Sequence, residues 1–168
     1  MSAEIYDILC VGGGAAGFFG AISCAEMTST PLTIGIVEGT ARPLTKVKIS
    51  GGGRCNVTHN QPDPRQLVGH YPRGGKSLTR GFFQFGPKDM AAWLQQHGVP
   101  TKVESDGRMF PQANTSQAIV DCFESLVARY QIHLLLKNPV KKITQATCGF
   151  QLDTKTGPLK CRKLLLAT

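Results

Sequence analysis

The stretch Ile5-Tyr6-Asp7-Ile8-Leu9-Cys10-Val11-Gly12-Gly13-Gly14-Ala15-Ala16-Gly17 decides the fold. Its first seven residues are short and rich in β-formers, a glycine cluster follows, and residues 15–27 suit a helix, so the order reads strand, tight turn, helix. Residues 32–37 form a second short apolar strand that stops at Glu38. Residues 5–38 are therefore one βαβ unit, a parallel pair whose crossover is expected to be right-handed.

Residues 12–17 fit the spacing G-x-G-x-x-G. Alone that pattern is weak, and a structural glycine turn would produce it. Placed between a strand and a helix, with an acid closing the next strand, it points to a dinucleotide. Gly12 permits the sharp turn, Gly14 lets a diphosphate reach the backbone, and Gly17 lets the helix pack close to the strand. The helix N-terminus that follows offers unpaired N–H groups and partial positive charge to the diphosphate. Glu38, with Gly39 beside it, is placed to accept both hydroxyls of an adenosine ribose. A 2′-phosphate there meets like charge, so NADP is disfavoured at this position.

Working outward, residues 39–80 are rich in glycine, proline and basic residues and read mostly as loop, with a short helix over 77–85. Pro87 suits the first turn of a helix that Gly98 closes, and Asp106-Gly107 marks a hairpin. Asn114 with Gln117 resembles a capping box for a helix reaching about residue 130. Residues 133–136 are a third strand. Short runs at 140–143, 149–152 and 159–161 suggest an antiparallel meander, and 163–167 a separate final strand. The fold class is thus α/β, a Rossmann-like parallel sheet with crossover helices and a small meander. A chain stopping at the tip of a buried strand is expected to be truncated, because ligand sites in such sheets lie just past the tips.

Of 168 residues, 41% are hydrophobic and 18% charged, which fits a packed domain. No apolar run approaches the ~20 residues that span a bilayer. Met1-Ser2-Ala3-Glu4 lacks the basic and apolar regions of a secretory leader, so a cytoplasmic setting is expected. The six cysteines form no C-x-x-C pair and read as reduced thiols, and the four histidines show no metal spacing. His133 alternates with apolar residues and reads as structural. The net charge of +8 is concentrated: residues 42–88 hold nine Lys/Arg and one acid, Asp63, while the rest balances. An anionic partner or a solvated basic face would each account for it. Tyr71, Phe82, Phe83 and Phe85 lie among those cations, a pattern seen at single-stranded nucleic-acid sites. The helical spacing of Phe82 and Phe85 favours core packing instead, so a nucleic-acid partner is not expected.

A second glycine loop, Lys46-Val47-Lys48-Ile49-Ser50-Gly51-Gly52-Gly53-Arg54-Cys55-Asn56-Val57-Thr58, is flanked by cations. Three glycines allow positive φ and close approach to a flat ligand or a phosphate. Arg54 suits a phosphate or carboxylate, and Asn56 a heterocycle edge. Cys55 is read mainly as a packing residue, with a reactive thiolate as the lesser alternative. Arg108 is a turn residue that would also reach a substrate anion.

The string KISGGGRCNVTH at 48–59 resembles the signature of BaiN/YhiN-type flavoproteins, also labelled aminoacetone-oxidase-family or NAD(P)/FAD-dependent oxidoreductases. The resemblance extends through GGGAAGFF at 12–19, YPRGGK at 71–76, ESDGRMFP at 104–111 and LLLAT at 164–168, and so covers essentially the whole chain. It implies a glutathione-reductase-like FAD domain and flavin-mediated hydride transfer. Gly12, Gly13, Gly14, Ala15, Ala16, Gly17, Glu38 and Gly39 would hold the ADP half, and Val140 would meet adenine through its backbone. Lys46, Ser50, Gly51, Gly52, Gly53, Arg54, Cys55 and Asn56 would run along the cofactor toward the flavin. Ala167 and Thr168 would begin a strand-end contact. By the same resemblance residues 1–168 are only the N-terminal part of the FAD/NAD(P)-binding domain, with the substrate domain and C-terminal FAD segment absent. NAD(P)H is the implied electron donor of the whole enzyme, acting on an unidentified small molecule. No catalytic acid or base and no oligomeric state follows from the residues. Two other readings remain open at this stage: a non-catalytic or decayed nucleotide-binding module, and a basic nucleic-acid binder.

Overall fold

A computed structural model describes residues 5–168; Met1–Glu4, on which the expectation about a leader rests, lie outside the described residues. In chain order the elements are β1 (Ile5–Val11), α1 (Ala15–Glu26), β2 (Ile34–Val37), α2 (Thr45–Gly53), β3 (Thr58–His59), α3 (Pro64–Leu67) and a 3-10 turn (Val68–His70). Then come α4 (Gly75–Gln84), α5 (Pro87–Gln96), β4 (Thr101–Val103), β5 (Arg108–Pro111), α6 (Gln117–Arg129), β6 (His133–Leu135), β7 (Val140–Ala146), β8 (Gly149–Thr154) and β9 (Gly157–Leu166). They form two units, one from the described residues up to 47 with 123–168, the other from 48–122.

The first unit is built on a six-stranded sheet in the order β6-β2-β1-β9-β8-β7. β6, β2, β1 and the second half of β9 run parallel, while β7, β8 and the first half of β9 form the antiparallel meander. β9 serves both: Gly157 to Cys161 pair with β8, and Lys160 to Leu166 pair with β1. The two strands expected at 159–161 and 163–167 are thus one. Only Arg162 separates them, and it carries no turn chemistry, so the ladder continues through it.

Two apolar groups hold this sheet. Helix α1, apolar over most of its surface, buries Gly17, Phe18, Ala21 and Ile22, and Phe18 meets Phe123 of α6 with ring centroids 5.9 Å apart. Tyr6, Leu9, Val11, Val37, Leu152 and Cys161 make a second cluster, flanked by Leu135, Val140, Phe150, Leu159 and Leu164. Burying each large apolar side chain contributes about 1.5–3 kcal/mol, which ties the meander to the parallel strands. His133 is structural here, its Nδ1 lying 3.0 Å from the Tyr6 hydroxyl.

The second unit carries the three-stranded antiparallel sheet β3-β5-β4. The β4–β5 hairpin turns at Asp106-Gly107, with Gly107 at φ +83 and the Asp106 carboxylate accepting from the Arg108 amide. Pro87 opens α5, and the Gly86 N–H donates to Asp89 at 2.7 Å. Leu67, Leu94 and Phe110 are fully buried.

Residues 39–80 are part loop and part regular structure: the start of α2, β3, α3, the 3-10 turn and the start of α4 lie there, while Ser50, Gly51 and Gly52 are non-helical. Two other expectations fail. Asn114 does not cap α6. It sits in a left-handed turn at φ +56, the first α6 bond runs from the Val120 N–H to the Ser116 carbonyl, and the Gln117 amide donates to Thr115 Oγ1. Helix α4 forms close to its expected bounds but buries no residue, so Phe82 and Phe85 do not anchor a core; Phe85 is 37% exposed and Phe83 60%.

Candidate functional site

The first glycine turn is shaped by close backbone approach. Gly12 has φ +116, its N–H donates to the Val37 carbonyl at 2.9 Å, and a Cβ on it would lie 2.3 Å from the Ala167 carbonyl oxygen. A Cβ on Gly17 would lie 1.9 Å from the Gly12 carbonyl oxygen, so only glycine lets α1 start this close to β1. Gly14, by contrast, is the N-cap of α1, and a Cβ there would meet nothing within 4 Å. That space lies in front of the first helical turn, where Ala15 and Ala16 are exposed. No side chain caps α1 and no acid stands in its first turn, so its leading amides are left for an outside acceptor.

Glu38 lies against this turn. Its Oε2 accepts from the Gly13 N–H and its Oε1 from the Thr40 N–H, both at 2.7 Å. A Cβ on Gly13 would sit 2.9 Å from the Glu38 side chain, so the glycine makes room for the carboxylate. Burial alone would raise the Glu38 pKa, but the amides of Thr40 and Gly13 outweigh it and hold the carboxyl below its ordinary value. Each carboxylate oxygen keeps a second acceptor position, so the ionised group can still receive a pair of hydroxyls.

The backbone beside Glu38 is fixed by three hydrogen bonds to residues 135–138. The Glu38 N–H donates to Leu135, the Asn138 N–H to Glu38 and the Lys137 N–H to Thr40, each at 2.9 Å. Gly39 faces Pro139, where a Cβ would come within 3.4 Å. Val140 follows as the first residue of β7, paired with Thr154 at a register irregularity. The Ala167 N–H donates to Val11 at 2.8 Å, which brings Ala167 and Thr168 against Gly12. Lys46 is exposed in the first turn of α2. The first unit thus gathers Gly12, Gly13, Gly14, Ala15, Ala16, Gly17, Glu38, Gly39, Ala167 and Thr168 around one strand-end turn, with Val140 next to the 137–139 segment. Two contributors escaped the sequence reading, Thr40 and the buried Asn138, whose Oδ1 accepts from the Thr156 amide at 3.0 Å. Thr40 had a signal: an acid two residues ahead can accept its amide, as in side-chain-closed turns.

In the second unit the 50–56 loop has the conformation its glycines permit. Ser50 is extended at ψ 148, Gly51, Gly52 and Gly53 have φ of 55, 67 and 83, and the Cys55 N–H closes back to the Ser50 carbonyl at 2.9 Å. Nothing approaches within 4 Å of a Cβ placed on Gly52. Cys55 is buried at φ +61, and burial pushes its thiol pKa up against a smaller opposing effect of Ser50, so it is a packing residue and not an activated thiolate. Arg54 already has partners: its guanidinium pairs with both oxygens of Glu104 and lies 4.1 Å from the centroid of the Phe110 ring. The Asn56 amide, oriented to suit its neighbours, donates to the Thr58 and Met109 carbonyls. Arg108 is held by Asp106 at 2.7 Å on the surface. Among the described residues no group of three or more His, Cys, Asp or Glu could hold a metal, and no helix is long and apolar enough to cross a membrane.

Comparison with known proteins follows the same outline. The chain is 27% identical over 165 residues to a ribosomal RNA dihydrouridine synthase of Escherichia coli, covering 98% of this chain and 40% of that protein. It is 22% identical over 157 residues to a 3-dehydro-bile acid delta(4,6)-reductase of Clostridium scindens, covering 94% of this chain and 37% of that one. It therefore spans about 40% of the length of the curated relatives it matches. Among solved structures, Escherichia coli quinol fumarate reductase superposes with a TM-score of 0.69 at 17% identity, over 100% of this chain and 33% of that one. Glycine oxidase from Geobacillus kaustophilus gives 0.56 at 14%, over 98% and 55%. These likenesses show the Rossmann-type fold. The profile of the family described as HI0933-like protein Rossmann domain matches residues 6–168, and the chain belongs to that family.

Proposed function

We propose that this chain holds the ADP half of FAD and is the FAD-binding portion of a flavin-dependent oxidoreductase. The observation that carries the reading is the Glu38 carboxylate resting on the Gly13 amide beside the uncapped start of α1. The open space at Gly14 suits a diphosphate, and the ionised Glu38 suits a ribose diol. Gly12, Gly13, Gly14, Ala15, Ala16 and Gly17 would surround the diphosphate, Glu38 and Gly39 the ribose, and Val140 the adenine, with Ala167 and Thr168 closing the turn. In the family resemblance Lys46, Ser50, Gly51, Gly52, Gly53, Arg54, Cys55 and Asn56 serve the rest of the cofactor. Arg54 would do so as part of its Glu104 pair and not as a free cation.

FAD, when bound, supplies the hydride chemistry, and the chain supplies position and electrostatics. NAD(P)H as donor, a cytoplasmic setting and an organic substrate belong to the same proposal. The relatives' names refer to dihydrouridine in ribosomal RNA and to reduction of a bile acid, so a reduction is the shared theme.

The test is to titrate the purified 168-residue chain with FAD, following the flavin's visible spectrum and fluorescence, and then to add NADH or NADPH. Saturable binding with a perturbed flavin spectrum supports the cofactor reading; a spectrum that stays that of free FAD overturns it. If FAD binds and neither reductant bleaches it, this chain is the nucleotide-holding module alone.

A further inference from the structure

Helix α4 is unusual for what it leaves uncovered. Helices in globular domains are normally held by a buried apolar stripe, yet none of its ten residues is buried, and Leu78 and Phe83 are 39% and 60% exposed. The sequence around it is basic: residues 64–88 contain Arg65, Arg73, Lys76, Arg80 and Lys88 and no Asp or Glu, and the flanking Asp63 and Asp89 are engaged in capping α3 and α5. Phe83 follows Arg80 by three positions and Lys76 by seven, which puts the three on one side of the helix. The Arg65 guanidinium of α3 stands 5.9 Å over the Phe83 ring. Next to it Arg65, Tyr71, Pro72 and Lys76 line an open cavity of about 450 Å3 with no carboxylate in its wall.

We propose that this α3–α4 face is a docking surface for single-stranded nucleic acid, with Phe83 as the platform for a base and Arg65, Lys76 and Arg80 as partners of the phosphates. The mixture of groups selects the partner. Unpaired bases offer flat faces to an exposed ring, and the strand between them offers regularly spaced anions. Helix α4 does segregate an apolar side, as a lipid-surface helix would, but that side is partly covered, Phe82 being half-buried with its ring centroid 5.3 Å from that of Tyr71, whereas the more exposed Phe83 stands among the cations. A second copy of the same face would set like charges opposite each other. The inference goes beyond the cofactor reading. It lies within the second unit and stands whether or not FAD binds.

The experiment is fluorescence anisotropy of the full chain with a labelled oligouridylate about 12 nucleotides long, across a potassium chloride series. Three phosphate partners give a log–log salt slope of about −2. Phe83→Ala should weaken binding by roughly 5- to 150-fold, since stacking is worth about 1–3 kcal/mol per base, and Phe83→Tyr should retain it. The pair Lys76→Ala and Arg80→Ala should cut the slope by about 1.4. All these side chains are exposed, and circular dichroism confirms that each variant keeps its fold; the Lys76/Arg80 variant carries the test should Phe83→Ala lose it. The proposal is overturned if Phe83→Ala binds as wild type, if the slope ignores the two cations, or if the chain prefers phosphatidylserine/phosphatidylcholine vesicles to the oligonucleotide.

Discussion

Replacing Glu38 by Gln keeps the side chain's shape and removes its charge. In the native turn both carboxylate oxygens accept backbone N–H groups at 2.7 Å. Hydrogen bonds to a charged group contribute about 1.5–3 kcal/mol and neutral ones about 0.5–1.5. Gln offers one carbonyl oxygen, so one amide keeps a weakened partner and the other faces an NH2 group. Glu38 is half-buried, and water recovers part of the difference, which leaves an expected loss of about 1–2 kcal/mol in urea unfolding. The pH dependence has a definite sign. The folded-state pKa lies below the ordinary carboxyl value, so the Glu38 contribution is complete above that ordinary value and disappears as pH falls through the lowered one. Glu38→Gln should therefore flatten the acid limb of the stability curve and leave its alkaline side parallel to wild type. For FAD, a charged acceptor of two ribose hydroxyls becomes a neutral one, and affinity measured by flavin fluorescence should fall about tenfold or more. A variant that loses stability yet binds FAD as wild type would show that Glu38 only braces the turn, and would refute its role on the ribose.

The two inner glycines should separate fold from binding. Gly17→Ala forces a Cβ to within 1.9 Å of the Gly12 oxygen and should cost about 3 kcal/mol or more in thermal or urea unfolding. Gly14→Ala enters open space and should leave the melting temperature nearly unchanged while weakening FAD binding; the reverse ranking would contradict the geometry. Burial pushes the Cys10 thiol up to about 12, so it stays protonated at mild alkaline pH. A thiol reagent at neutral pH should label exposed Cys148 first and reach buried Cys10, Cys55 and Cys161 only on unfolding, and rapid labelling of Cys55 would reopen the reactive-thiol reading. Glu104→Gln should destabilise the second unit by about 1 kcal/mol, because the pair with Arg54 is only partly screened and the guanidinium remains stacked on Phe110.

The βαβ unit was legible because its signals are local: β-formers, a glycine turn, a helix stripe and an acid at the next strand's end all lie within residues 5–38. The left-handed conformations of Gly51, Gly52 and Gly53 and the Asp106-Gly107 hairpin were readable for the same reason. What escaped depends on partners far along the chain. Nothing near Arg54 announces that Glu104 will take its charge, or near Glu38 that residues 137–138 will hydrogen-bond to residues 38–40. The continuity of β9 was hidden because one strand pairs antiparallel with β8 along its first half and parallel with β1 along its second. Phe82 and Phe85 misled because helical spacing shows which residues share a side of a helix and not whether that side is covered. Asn114 misled because a composition rule for capping cannot see that Ser116 supplies the first helical carbonyl.

A diphosphate meeting the leading amides of α1 is the contact on which FAD binding depends. The direct measurement is a 15N-resolved amide spectrum of the chain titrated with ADP. The amides of Gly13, Gly14, Ala15 and Ala16 should shift together, along one saturation curve, with Thr40 following through Glu38. ADP that binds while those amides stay in place, or that moves only resonances elsewhere in the chain, would contradict that contact.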